Sequence, residues 1–124
     1  HWNAAEFIRR NACDIMRTST HYKGGFTGGM KVGHVAEAFG MKAEVHGGGH
    51  NNLHLCLALQ NNTYYEDLVI DVEDIENKGK GQLKFENGMY SFREQVGGVG
   101  VKYDQEKLEK ISIQKFEKIE NGKK

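Results

Sequence analysis

The sequence predicts an α/β fold, a parallel sheet layered with helices, on three observations. Apolar residues recur at helical spacing over residues 3–11, 28–39 and 51–60. Short strand-like runs, 12–17, 42–46 and 63–68, stand between and after them. Each crossover is long enough to bring the next strand back parallel to the one before.

The first helix sets Ala4, Phe7 and Ile8 on one side, with Ala12 a turn further on, opposite Arg9 and Arg10. "ACDIMR" supplies the first strand. In "GGFTGGMKVGHVAEAFG", Thr27 is the candidate N-cap, Met30, Val32, Val35, Ala36 and Phe39 form the apolar face, and Gly40 ends the helix. Residues 42–46 give the second strand, and "NNLHLCLALQ" gives a short helix capped by Asn51 or Asn52. "TYYEDL" is the third strand. Beyond Asp71 the pattern changes, because "QLKFENGMYSF" alternates about Asn87 and Gly88, the strongest short hairpin signal. "VGGVGVKYD" reads as an extended strip, and residues 104–119 as a last helix carrying Leu108, Ile111 and Phe116.

A chain of 124 residues, 38% apolar and 27% charged, suits one core and leaves no room for two independent ones. Seventeen basic side chains balance seventeen acidic ones, so the field that would gather nucleic acid or an anionic membrane is absent, and neither is expected as a partner. No apolar stretch approaches the roughly 20 residues of a membrane span. Cys13 and Cys56 sit in the apolar settings "NACDIM" and "LHLCLAL" and read as free thiols, which points to a cytoplasmic protein. The chain opens on His1 directly into a helical pattern, so residues upstream are expected.

Candidate chemistry collects where the parallel strands stop. The first ends in "RTSTH", the second on His46 and the third on Glu66. In parallel α/β sheets and barrels, ligands sit outside the carboxyl ends of the strands, where loops and helix N-termini converge. Gly47, Gly48 and Gly49 lack Cβ atoms, so the backbone beyond His46 can approach a ligand or adopt a positive φ. Taken alone, that triplet also fits a simple turn beside a core histidine.

The run "ACDIMRTSTHYKGGFTGGMKVGHVAEAFGMKAEVH", followed by Glu66 in "YYED" and later by "VGGVGVKYD", resembles the closing third of the mandelate racemase branch of the enolase superfamily. Such proteins are (β/α)8 barrels of the TIM type, closed by an α+β capping domain. The resemblance implies that residues 1–71 are the last third of the barrel, strands six to eight with their helices. Residues 72–124 would be the C-terminal hairpin, extended strip and helix that pack on the barrel and the capping domain.

The resemblance further implies a Mg²⁺-dependent lyase that abstracts the proton α to a carboxylate and eliminates water from a sugar acid. His46 would be the general acid/base, and Glu66, when protonated, would hydrogen-bond the substrate carboxylate. Ser19, His21 and Lys23 are the substrate-binding candidates. The carboxylates that hold Mg²⁺ in the family have no counterpart here and are expected upstream of His1. The implied partners are a small sugar acid, the N-terminal part of the barrel with its capping domain, and further copies of the chain in a homo-oligomer.

One departure bears on the reaction. Where mandelate racemase ends its sixth strand with an Asp that charges the catalytic His, this chain has Ser19. His46 is therefore expected to lack an anionic partner, which favours dehydration over the alternative of a racemase or epimerase of an α-hydroxy acid. A catalytically silent barrel used for binding is the remaining alternative. His46, His50 and His54 recur every four residues, but the glycines between the first two break a single helix face, so zinc is not expected. "GGFTGG" lacks the Lys-Ser/Thr ending of a phosphate loop and reads as a strand-to-helix turn. His34 reads as a surface residue, and Tyr64 and Tyr65 as packing residues.

Overall fold

A computed structural model describes residues 2–68, 83–93, 97–101 and 105–112. Their elements run α1 (Trp2–Arg9), β1 (Met16–Thr18), α2 (Gly25–Ala38), β2 (Ala43–Val45), α3 (His50–Ala58), β3 (Leu83–Glu86), β4 (Met89–Phe92) and α4 (Gln105–Ile111). The helix–strand alternation thus forms as predicted, and β1 pairs parallel to β2 with Met16, Arg17 and Thr18 opposite Ala43, Glu44 and Val45.

Strand alternation divides this small sheet into two faces. Met16 and Ala43 pack with Ala4 and Ile8 of α1 and Val32 and Ala36 of α2. Val45 packs with Leu55 and Cys56 of α3 and with Leu59 at its C-cap. Each large aliphatic side chain buried this way contributes about 1.5–3 kcal/mol, so the helix layer fixes the sheet. The opposite face carries Arg17 and Glu44. Phe7 departs from its predicted core position and is 54% exposed. It lines a groove of about 650 Å³ with Ile15 and Tyr22, between α1 and the outer edge of β1.

Helix α2 starts two residues before the predicted cap. Gly24, at φ 80° and ψ 47°, takes the N-cap position with no side-chain cap, and Thr27 lies inside the first turn. The reason is steric: a Cβ on Gly28 would stand 1.4 Å from the Lys23 carbonyl oxygen, so the turn closes tightly over the helix start. Gly28→Ala should therefore destabilise the full-length protein by about 1–3 kcal/mol, read as a lower urea midpoint at unchanged m-value. Helix α3 likewise takes Gly49 as N-cap, not Asn51 or Asn52.

The predicted third strand does not form a ladder among the described residues. Its approach takes the place of one by other means: the Ala43 N–H donates to the Asn61 carbonyl at 3.1 Å, and the Val45 N–H to the Asn62 side-chain oxygen at 3.0 Å. The outer edge of β2 is thereby satisfied by one carbonyl and one side chain, and residues 62–68 run past it without regular pairing. The hairpin forms about Asn87 and Gly88 as predicted, with Leu83 opposite Phe92 and Glu86 opposite Met89. It docks on α3, where the His54 ring stacks on Phe92 at 4.2 Å and His50 meets it edge-on at 5.5 Å. Residues 97–101 make a turn with Gly98 and Gly100 at positive φ, in place of an extended strip. The His54 Nε2 lies 3.2 Å from the Val99 carbonyl of that turn. The last predicted helix is present over α4, and its continuation through Phe116 lies outside the described residues. No helix of the described residues is long and apolar enough to cross a membrane.

Candidate active site

Arg17 leaves the mid-point of β1 on the face away from the helices, and His46 follows β2 on that same face by the two-residue period of the strand. The His46 N–H extends the parallel ladder by donating to the Thr18 carbonyl at 2.8 Å, so the ring is carried on hydrogen-bonded backbone. Glu66 arrives from the segment beyond α3. That segment is anchored by Glu44, only 3% exposed, whose carboxylate accepts the Thr63 N–H at 3.0 Å and the Thr63 hydroxyl at 2.5 Å.

These three elements converge on one atom. Glu66 Oε2 receives the Gly47 N–H at 2.7 Å and Arg17 Nη2 at 2.7 Å, and stands 2.7 Å from His46 Nδ1. Gly47 sits at φ 86°, a conformation costly for any residue with a Cβ, so glycine lets the chain turn away directly after donating its N–H to the carboxylate. Here the glycine triplet beyond His46 acquires a purpose. Arg17 Nη2 also lies 2.6 Å from His46 Nδ1. A ring nitrogen carries either a proton or a lone pair, so it bonds to one of these two neighbours. With Nδ1–H donated to Glu66, Nε2 is left free to take a proton. With Nδ1 accepting from Arg17, Nε2 carries the proton and can give it.

Burial opposes ionisation of Glu66, but the Gly47 N–H, the Arg17 guanidinium and His46 outweigh it and hold the carboxyl down at about 2. Two expectations are corrected as a result. Glu66 is a carboxylate at neutral pH, not a protonated donor to a substrate carboxylate. His46 does have an anionic partner, supplied by Glu66 and not by the position of Ser19. The Ser19 hydroxyl is 2% exposed as a residue and accepts the His21 N–H at 3.1 Å, which tightens the loop after β1.

Because the folded Glu66 pKa lies below the ordinary value of 4.5, the stability it contributes is complete above that value and is lost as pH falls toward about 2. The difference in urea midpoint between the full-length protein and its Glu66→Gln variant should accordingly shrink as the pH falls through that window.

A cavity of about 380 Å³ opens beside the cluster, walled by Arg17, Thr18, Ser19, Tyr22, Lys23 and His46. Three of the predicted site residues, Ser19, Lys23 and His46, thus share one space. Glu66 reaches it only through His46 and Arg17. His21 stands outside its walls, exposed, with Nδ1 3.4 Å from the Asn52 side-chain nitrogen. Arg17 is not among the residues the sequence singles out, although alternation from Ser19 places it on the inner face. Tyr65, read as packing, does pack in the α3 core and also accepts the Gly49 N–H at 2.7 Å. His34 is exposed, as expected.

Magnesium prefers a cage of oxygen ligands. Here the one carboxylate of the cluster already accepts from the Gly47 N–H and from the Arg17 guanidinium, whose charge would repel a cation. Among the described residues no three His, Cys, Asp or Glu side chains come together in a metal-binding group. The residues present do not fit a resident Mg²⁺.

Comparison with known proteins places the chain in a family. The family described as enolase C-terminal domain-like matches residues 1–107, so the chain belongs to that family, in the mandelate racemase branch of the enolase superfamily. The crystal structure of D-glucarate dehydratase from Agrobacterium tumefaciens, complexed with magnesium, is similar to it at 33% identity and a TM-score of 0.69, covering 81% of this chain and 27% of that one. The chain therefore spans about a quarter of that enzyme's length. Comparison with curated proteins gives no match.

Proposed function

We propose that this chain supplies the last third of a (β/α)8 barrel, strands six to eight with residues 1–71, and that the completed enzyme dehydrates a sugar acid by removing the proton α to its carboxylate and expelling the β-hydroxyl as water. Residues 72–124 pack on that barrel and its capping domain. The observation that carries the reading is the junction at Glu66 Oε2, where the imidazole from one strand end meets a carboxylate held ionised by Arg17 and the Gly47 N–H.

In this arrangement each residue has a distinct task. Glu66 orients the His46 ring through Nδ1 and stabilises the imidazolium that forms when Nε2 accepts a proton. Arg17, 44% exposed at its side chain, keeps Glu66 charged and presents its remaining donors to the cavity, where an anionic substrate group gains from them. Lys23 and Ser19 line the approach, and His21 borders it. The magnesium bound by the similar enzyme would be held by carboxylates outside this chain. The sugar acid, the rest of the barrel and a homo-oligomeric, cytoplasmic enzyme complete the proposal.

Full-length protein supplied with MgCl₂ should convert at least one member of a panel of sugar acids that includes D-glucarate to the corresponding 2-keto-3-deoxy acid, followed by proton NMR. No keto acid from any member would refute the dehydratase reading.

The His46–Glu66 contact also favours a second reading, a racemase or epimerase, because it provides the anion that such a histidine needs. Recovery of substrate inverted at the α-carbon, with no keto acid formed, would decide for it.

A further inference from the structure

We propose that Asn52 is a positioning residue for this site, a buried bracket that ties the loops after β1 and β2 together and so sets where His46 and Gly47 stand. Sequence reading treats Asn52 as a helix cap. It lies instead within α3 and is 0% exposed. Its Oδ1 accepts the Thr20 N–H at 2.9 Å and the Thr20 hydroxyl at 2.8 Å. Its Nδ2 donates to the His46 carbonyl at 2.9 Å and the Gly47 carbonyl at 2.9 Å. The amide orientation is fixed by chemistry, because a backbone N–H can only donate and the atom facing Thr20 must be the oxygen.

These bonds join two strand ends that no backbone hydrogen bond connects beyond the His46 N–H. Each peptide that Asn52 holds carries a functional group: His46 bears the imidazole, and Gly47 supplies the N–H to Glu66 Oε2. Fully satisfied buried networks of this kind specify one arrangement, and loss of the amide leaves the His46 and Gly47 carbonyls and the Thr20 N–H and hydroxyl to find other partners. A truncation at 52 should therefore move the imidazole relative to the substrate while leaving Arg17 and Lys23 on the cavity wall in place.

The turnover test rests on the dehydratase reading; a second, spectroscopic test does not. In the full-length protein, Asn52→Ala should lower kcat by about 10–100-fold with KM changed less than about threefold, as expected for a misplaced reacting group. In a His46→Asn background the same substitution should cost less than about threefold, because the group it positions is gone. Equal losses in both backgrounds would overturn the proposal. If Asn52→Ala does not fold, Thr20→Val, which removes one of the two donors to Oδ1, carries the same comparison with a smaller loss. Independently of any substrate, ¹⁵N-histidine labelling should show the His46 ring resonances shifted in Asn52→Ala or Thr20→Val while those of exposed His34 stay in place. Unmoved His46 resonances overturn the positioning role whether or not a sugar acid turns over, whereas shifted resonances without turnover leave that role standing and count against the dehydratase reading alone.

Discussion

His46→Asn in the full-length protein lowers sugar-acid turnover by about 10²–10⁴-fold, the usual contribution of a positioned general acid/base. The fold survives, because what His46 gives to the structure comes mainly from its backbone: its N–H continues the β1–β2 ladder and its carbonyl is held by Asn52. The side chain itself is 43% exposed. Asparagine is smaller and can still reach the Glu66 carboxylate, so the ion pair with Arg17 persists. Turnover measured beside the thermal midpoint separates the two effects. A large loss of activity at a nearly unchanged midpoint is the expected pair of results, and unchanged turnover would return His46 to a purely structural part.

Residues 1–124 expressed by themselves should not give a stable monomer. Among the described residues two parallel strands are paired, and the outer edge of β1 offers its backbone groups beside Phe7, Ile15 and Tyr22, which are 54%, 49% and 79% exposed. Exposed apolar side chains next to an open strand edge template association with other chains. A two-stranded sheet covered on one face by helices also leaves Arg17, 44% exposed at its side chain, on a face that a barrel would enclose. Aggregated or molten protein by sedimentation and calorimetry is expected, and solubility should return when the remaining strands are supplied in the same chain or as a companion. A monomeric species that melts cooperatively would count against the incomplete-barrel account.

Why some of this was legible in the sequence and some was not follows from how local each signal is. The alternation of elements, the hairpin at Asn87 and Gly88 and the placing of His46 after a strand all rest on short-range patterns, and all are present in the structure. The third strand rested on the same kind of pattern but needs a partner edge, and Asn61 and Asn62 satisfy that edge first. Asn52 misled for a related reason. Asparagine near a helix start caps it by local preference, yet here glycine caps and the asparagine turns inward to span two loops far apart in sequence. The partner of His46 was the largest miss. Position by position, the dyad acid appeared to be missing at Ser19, and nothing local announces that the carboxylate twenty residues after His46 takes up that contact from the other side.

Solvent exchange tests the joint action of His46 and Glu66 most directly. Full-length protein is incubated with MgCl₂ and its sugar acid in D₂O, and unreacted substrate is recovered and examined for deuterium at the α-carbon. The wild-type protein should introduce deuterium, while His46→Asn and Glu66→Gln should both lose this exchange by a similar large factor, since the imidazole needs the carboxylate to hold the proton it takes. Exchange in Glu66→Gln at the wild-type rate, with His46→Asn inactive, would contradict the account and show that Glu66 is no partner of the catalytic histidine.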